Sequence, residues 1–114
     1  MIETTILSYL MSALGDVPVF AERPVGDEIP DKYVVIEKTG SSRSNYITTS
    51  TVAFQSYGRR LLEALQLNER VKEAIDSAVE LPEISAARLN SDYNFSDQTN
   101  KIYRYQAVYN ITHY

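Results

Sequence analysis

The chain has no cysteine and no tryptophan, a single histidine, and only four glycines and four prolines in 114 residues. The missing cysteine removes disulfides, thiolate metal sites and thiol nucleophiles together. With His113 alone, a histidine-based metal centre would need carboxylate partners or a second subunit. A basic face is missing too. Fifteen acids against eleven bases give a formal charge of −4, and the acids are scattered along the chain. Neutralising phosphates along a nucleic acid requires the opposite balance. No apolar run is long enough for a membrane span: Ile2 to Leu14 is too short and is interrupted by Glu3, Ser8 and Ser12. Glu3 also stands where the basic start of a secretion signal would be, so synthesis in the cytoplasm is expected. On that expectation, the glycosylation-like triplets Asn94-Phe95-Ser96 and Asn110-Ile111-Thr112 are coincidental.

What is present is the composition of an ordinary folded domain, 44% hydrophobic and 23% charged. A chain of this size buries about two thirds of its unfolded surface, enough for one core, so residues 1–114 are read as a single domain.

The clearest pattern runs from Val52 to Ala78. Val52 and Phe54 alternate with smaller or polar residues up to Tyr57, the period of a half-buried strand. After Gly58 the period changes. Leu61, Ala64, Asn68, Val71, Ile75 and Ala78 share one helical face, bordered by Leu65 and Ala74, with Arg60, Glu63, Arg70, Glu73 and Asp76 towards water. This helix is expected over about Arg59 to Val79, roughly 30 Å, ending before Leu81-Pro82. Asn68 on the apolar stripe either caps a break after Leu67 or is a buried polar group with a partner; a continuous helix is the expectation.

Upstream, Ile2, Ile6, Leu7, Leu10 and Leu14 predict a first helix stopped by Gly15. Val17 to Ala21 reads as a short strand that Pro18 places at an edge or at the strand's first residues. Arg23 to Asp31 is a loop. Tyr33 to Lys38 is a strand apolar on both faces, one to be covered by a helix and the other by a partner. Gly40 to Asn45 is turn chemistry between two strands, which fits a hairpin or a longer β-arm. The strand after it begins as early as Tyr46, and its weakly apolar Thr48 to Thr51 suggests an arm reaching beyond the core. Downstream, Ile84 to Tyr93 is a strand and Asn94 to Lys101 a turn. Ile102 to His113 is a strand with Tyr103, Tyr105, Ala107, Tyr109 and Ile111 on one face. The fold class predicted is α+β: a mainly antiparallel sheet with two helices packed on one face, in the order helix, three strands, helix, two strands.

Catalysis finds no foothold. There is no nucleophile elbow, no phosphate-binding glycine loop and no paired-histidine zinc motif. No catalytic residue, cofactor site or metal site is therefore assigned. His113 reads as a solvated or pairing residue at a strand end. Asp27, Glu28 and Asp31 lack the spacing of a calcium loop and read as a solvated one. Arg59-Arg60 reads as surface charge or an interface salt bridge. The nine tyrosines are the one compositional excess. Stacking single-stranded bases on an exposed sheet is one use for them; filling a core margin or a subunit interface is the better fit to the acidic charge.

Four stretches carry a resemblance: Tyr33-Val34-Val35-Ile36-Glu37, Ser56-Tyr57-Gly58-Arg59-Arg60-Leu61-Leu62-Glu63-Ala64, Leu67-Asn68-Glu69-Arg70-Val71-Lys72-Glu73-Ala74-Ile75 and Tyr103-Arg104-Tyr105-Gln106-Ala107-Val108-Tyr109. Together they resemble the small tail-terminator and head–tail joining proteins of long-tailed bacteriophages, over nearly the whole chain. The resemblance implies a structural virion protein at the head–tail junction, made in the bacterial host cytoplasm. Its partners would be copies of itself in a closed ring, commonly of six, the tail-tube protein, and the head-connector or neck protein. DNA would pass through the ring without specific binding, and no membrane would be involved. The assembly surface is then expected at the turn, on Arg43, Ser44, Asn45 and Tyr46, and along the doubly apolar strand, on Tyr33 and Val35. Two other readings remain: a different phage neck or stopper component, and a small single-stranded nucleic-acid-binding module using the tyrosine-rich sheet.

Overall fold

The computed structural model describes residues 2–114. Helix α1, Ile2–Leu14, buries Ile2, Ile6, Leu10 and Leu14, one residue per turn. It ends at Gly15, whose φ of +66° continues the chain in the left-handed region while its N–H donates to the Met11 carbonyl at 3.1 Å. The two-residue strand β1, Val19–Phe20, follows at an outer edge of the sheet. Pro18 sits just before it, where a missing N–H costs nothing, and its carbonyl accepts the Val34 N–H at 3.0 Å.

Strands β2 (Tyr33–Ser44) and β3 (Ile47–Gly58) form a long hairpin, helix α2 (Leu61–Asp76) returns over the sheet, and β4 (Ile84–Asn94) and β5 (Tyr103–His113) complete it. The spatial order is β1-β2-β3-β5-β4. Only β1 and β2 are parallel; the other three pairings are antiparallel. The predicted α+β class and element order are those observed. The molecule measures 45 × 25 × 24 Å, its long axis matching a strand of twelve residues at about 3.3 Å each.

The expected hairpin is present, but its turn is narrower than Gly40 to Asn45. A register shift between Lys38 and Gly40 sets Thr39 out of the ladder, and pairing then resumes from Gly40↔Thr51 to Ser44↔Ile47. A backbone ladder requires no apolar side chains, so a Gly- and Ser-rich stretch extends the strand. Reversal is confined to Asn45 and Tyr46, with φ of +51° and +66°, the two positive φ values that a tight hairpin requires. The β3 half of the expected arm is also tied down. Thr48 to Thr51 pair with His113 to Asn110, and Ser50 is fully buried with its hydroxyl 2.8 Å from His113 Nε2.

Both helices lie on one face and share one core. Ile6, Leu10, Val34, Phe54, Val71, Ile75, Tyr109 and Ile111 are at its centre. Burying each such side chain contributes about 1.5–3 kcal/mol before the entropy of ordering is charged against it. The α2 stripe is Ala64, Leu67, Asn68, Val71 and Ile75. Leu67, absent from the expected stripe, is buried, and Leu61, expected on it, is 39% exposed. The first turn of α2 overhangs the end of β3, and the two elements approach closely: a Cβ on Gly58 would stand 2.7 Å from the Ala64 nitrogen. The helix is also shorter than expected. It stops at Asp76 and tightens into a 3₁₀ turn, Ala78–Glu80, that keeps Ala78 buried.

Asn68 lies inside a continuous helix and has a partner: its Nδ2 donates to Asp92 on β4 at 2.7 Å. Lys72 bonds the other Asp92 oxygen and Glu69, and these two carboxylates hold its ammonium pKa above the ordinary value. On the same side the Tyr109 hydroxyl donates to Asp76 at 2.8 Å; burial, then that carboxylate, pushes its pKa far above that of a free tyrosine. The two helices are braced by Tyr9, donating to the Ala74 carbonyl at 2.8 Å, and by Arg70, donating to the Leu14 carbonyl at 3.0 Å and to Asp16 at 2.7 Å.

Candidate assembly surface

The sheet's other face carries no helix. Cross-strand partners share a face, so the register assigns its rows directly: Glu37, Ala53, Val108 and Ser91; Gly40, Thr51, Asn110 and Arg88; Ser42, Thr49, Thr112 and Ala86. Its middle is uncharged and satisfies itself. Gln55 donates to Gln106 at 2.9 Å, Thr51 to Asn110 at 3.1 Å, and the Thr49 and Thr112 hydroxyls lie 3.3 Å apart. Gln106 reaches further to the Tyr93 hydroxyl. A polar, neutral ladder of this kind can face water, and it can face protein without desolvating a charge.

One end of this face is closed by the chain itself. Tyr33, Val35 and Tyr57 are all buried, with Phe20 and Ile102 packed against them. The rings of Tyr33 and Tyr57 stack at 4.5 Å and 10°. Arg23 and Arg104 lie against the Tyr57 ring at 5.6 and 5.7 Å, and Arg104 also covers Phe95 at 4.5 Å while donating to the Phe95 carbonyl at 2.7 Å. A hydrogen bond with Tyr33 raises the Arg23 pKa further above its ordinary value. The cover expected from a partner over Tyr33 and Val35 is thus supplied within the subunit.

Arg43, Ser44, Asn45 and Tyr46 lie together at the far end of β2, all exposed, and Tyr46 is 85% exposed. Tyr33 and Val35 are at the other end of the same strand, buried at 4% and 5% exposure. The six expected assembly residues therefore form two separate groups. Tyr46 also carries backbone strain: a left-handed conformation costs a side-chain-bearing residue about 1–2 kcal/mol, and glycine would remove it.

His113 is engaged at both ring nitrogens, with Ser50 and with the Tyr114 carbonyl at 3.3 Å. Arg59 pairs with Asp31 across 3.6 Å at the surface. Among the described residues no group of three acids or histidines converges as metal ligands, and no helix is long and apolar enough to cross a membrane. Tyr103 and Tyr105 pair with Gly58 and Ser56 and so point to the helix side, while Tyr109 is in the core. The rings that do lie exposed on the open side are Tyr93 and Phe95, an edge-to-face pair 5.9 Å apart at one end of the face.

Sequence reasoning missed the strand edges. From Glu37 onward β2 has no outer neighbour among the described residues, because β1 pairs only with Val34 and Val35; β4 is the other outer strand. Exposed Leu89, flanked by Arg88 and Asn90, was the available signal for the β4 edge. No family model and no curated protein matches the chain.

Proposed function

We propose that this chain is a structural subunit that assembles into a closed ring, capping the head-proximal end of a phage tail tube and joining tail to head. The observation that carries the reading is the outer half of β2 with its tip. Glu37 to Ser44 are exposed and paired on one side only, and they lead to the strained, exposed Tyr46. A strand maintained for eight residues outside the core is costly to a monomer and useful to an assembly. The resemblance to tail-terminator and head–tail joining proteins supplies the kind of assembly, commonly six subunits.

The mechanism is geometric. A ring interface is heterologous, and rotation that closes fixes the number of subunits. One ring face matches the last ring of tube protein; the other does not, so tube growth ends there and the head-connector or neck protein finds its surface. A net charge of −4 suits a passage through which DNA moves without sticking. The test is assembly of purified tail-tube protein with and without this chain. Tubes of regulated length, each with this chain at one end, are expected. Unchanged tube lengths, or binding to filled heads with none to tubes, would overturn the reading.

A further inference from the structure

Following the three antiparallel pairings across the sheet, the two free edges, β2 and β4, run in opposite directions. A second copy placed beside β2 with its strands in the same orientation therefore presents its β4 antiparallel to β2. Alternation of strand direction then continues unbroken from subunit to subunit.

The side chains select a register. On β2, Ile36 and Lys38 face the helices and Glu37 faces the open side; on β4, Leu89 faces the helices and Arg88 the open side. Pairing Glu37 with Arg88 of the second copy sets Ile36 opposite its Leu89 and Lys38 opposite its Ala87. Three features then coincide. Glu37 and Arg88 are exposed, and neither joins an ion pair within the subunit among the described residues. Leu89 is 46% exposed, and Ile36 lines a groove of about 350 Å³ that opens where β1 ends, walled by Leu7 and Ala21 and roofed by the Glu3–Lys38 pair at 3.6 Å. Finally, the stretch is bounded by irregularities on both strands, after Lys38 on β2 and on either side of Ala86 to Leu89 on β4, so a slipped register would meet a bulge.

We propose that the β2 edge at Ile36–Lys38 binds the β4 edge of a second copy of this chain, with Leu89 of that copy filling the groove beside α1 and its Arg88 pairing with Glu37. The contact is heterologous: each copy offers a different edge at each side, and the chain of contacts closes wherever the rotation does. It rests on the self-assembly part of the proposed function and is independent of the tail.

The test is sedimentation across a concentration series for the intact chain, Glu37→Arg, Arg88→Glu, the double exchange, and Leu89→Ser. All substituted sites are exposed, so folding should survive, and denaturant melts verify it. Each charge reversal should weaken association at least about tenfold, since close interfacial charge pairs couple strongly. The double exchange should recover most of that loss, and Leu89→Ser should weaken association without altering its salt dependence. A double exchange no better than the single reversals, or a Leu89→Ser chain that associates normally, overturns this pairing and leaves the ring standing. A wild-type chain that stays monomeric overturns both. Normal self-association with no effect on tail tubes overturns only the tail assignment.

Discussion

Tyr33–Ile36 and Glu37–Ser44 belong to one strand, yet the first four side chains are all buried and the next eight all exposed. The inner residues have neighbours on every side: β1 at their edge, the helix-side core around Val34 and Ile36, to which α1 contributes, and the Tyr57 cluster over Tyr33 and Val35. Beyond the Lys38–Glu3 pair at 3.6 Å, the outer residues have β3 as their neighbouring element. Hydrogen bonding to β3 continues through both halves, so secondary structure does not distinguish them; packing does. A strand can thus be half core and half exposed edge, and the two halves should answer differently to substitution, pH and assembly.

The largest effects belong to the inner half and the core it joins. Ile36→Ala and Ile75→Ala should each cost about 2–5 kcal/mol, through lost burial plus a cavity. Equilibrium denaturation reads this directly, and losses below about 1 kcal/mol at both sites would erase the contrast. Glu73→Ala, on the wet side of α2, should stay within about 0.5 kcal/mol.

Next comes pH. The Tyr109 pKa is raised on folding from a reference of 10.0, so the folded chain keeps a proton that the unfolded chain gives up. Its stabilisation is complete below about pH 10 and is lost as pH rises above that. Lys72, raised from 10.5 by Asp92 and Glu69, acts in the same alkaline direction. Tyr109→Phe should cost about 1 kcal/mol at neutral pH for the lost hydrogen bond, and should flatten the alkaline fall without abolishing it. Thermal melts from pH 8 to 11 on both proteins decide the point; identical slopes would contradict it.

The smallest stability effects belong to the outer half. Ser42→Ala should be neutral within about 0.5 kcal/mol. Tyr46→Gly relieves left-handed strain of about 1–2 kcal/mol and offsets much of that with the roughly 0.5–1 kcal/mol entropy cost of glycine, leaving stability level or slightly raised. Its effect should appear in assembly instead. A Tyr46→Gly chain that assembles and caps tubes like the wild type would remove the tip from the contact surface.

The sequence made the packed half of this contrast legible and obscured the other. Ile2, Ile6, Leu10 and Leu14, the Val71–Ile75 stripe and the alternation through Tyr109 and Ile111 are periodic because they face one core, and periodicity is what a sequence displays. Gly40 to Ser44 face nothing, so no pattern marked them as strand, and their composition read as a turn. Tyr33 and Val35 were recognisable as needing cover, but intrachain cover by Tyr57, Phe20 and Ile102 depends on strand neighbours remote in sequence. The pairing of Glu37 with Arg88 is less visible still. It requires the strand order, which places β4 last in space although it precedes β5 in the chain. Asn68 was the reverse case: a polar residue on an apolar stripe flagged either a helix break or a partnered buried group, and the hydrogen bond to Asp92 decides for the second.

The most direct measurement is hydrogen exchange of the amides from Glu37 to Ser44, followed from dilute to concentrated protein. The account predicts rapid exchange at the outer edge in dilute subunits and protection appearing there, and along β4, in step with assembly, while Tyr33 to Ile36 stay protected throughout. Outer-edge amides that exchange equally fast at every concentration, in protein shown by sedimentation to have assembled, would contradict it.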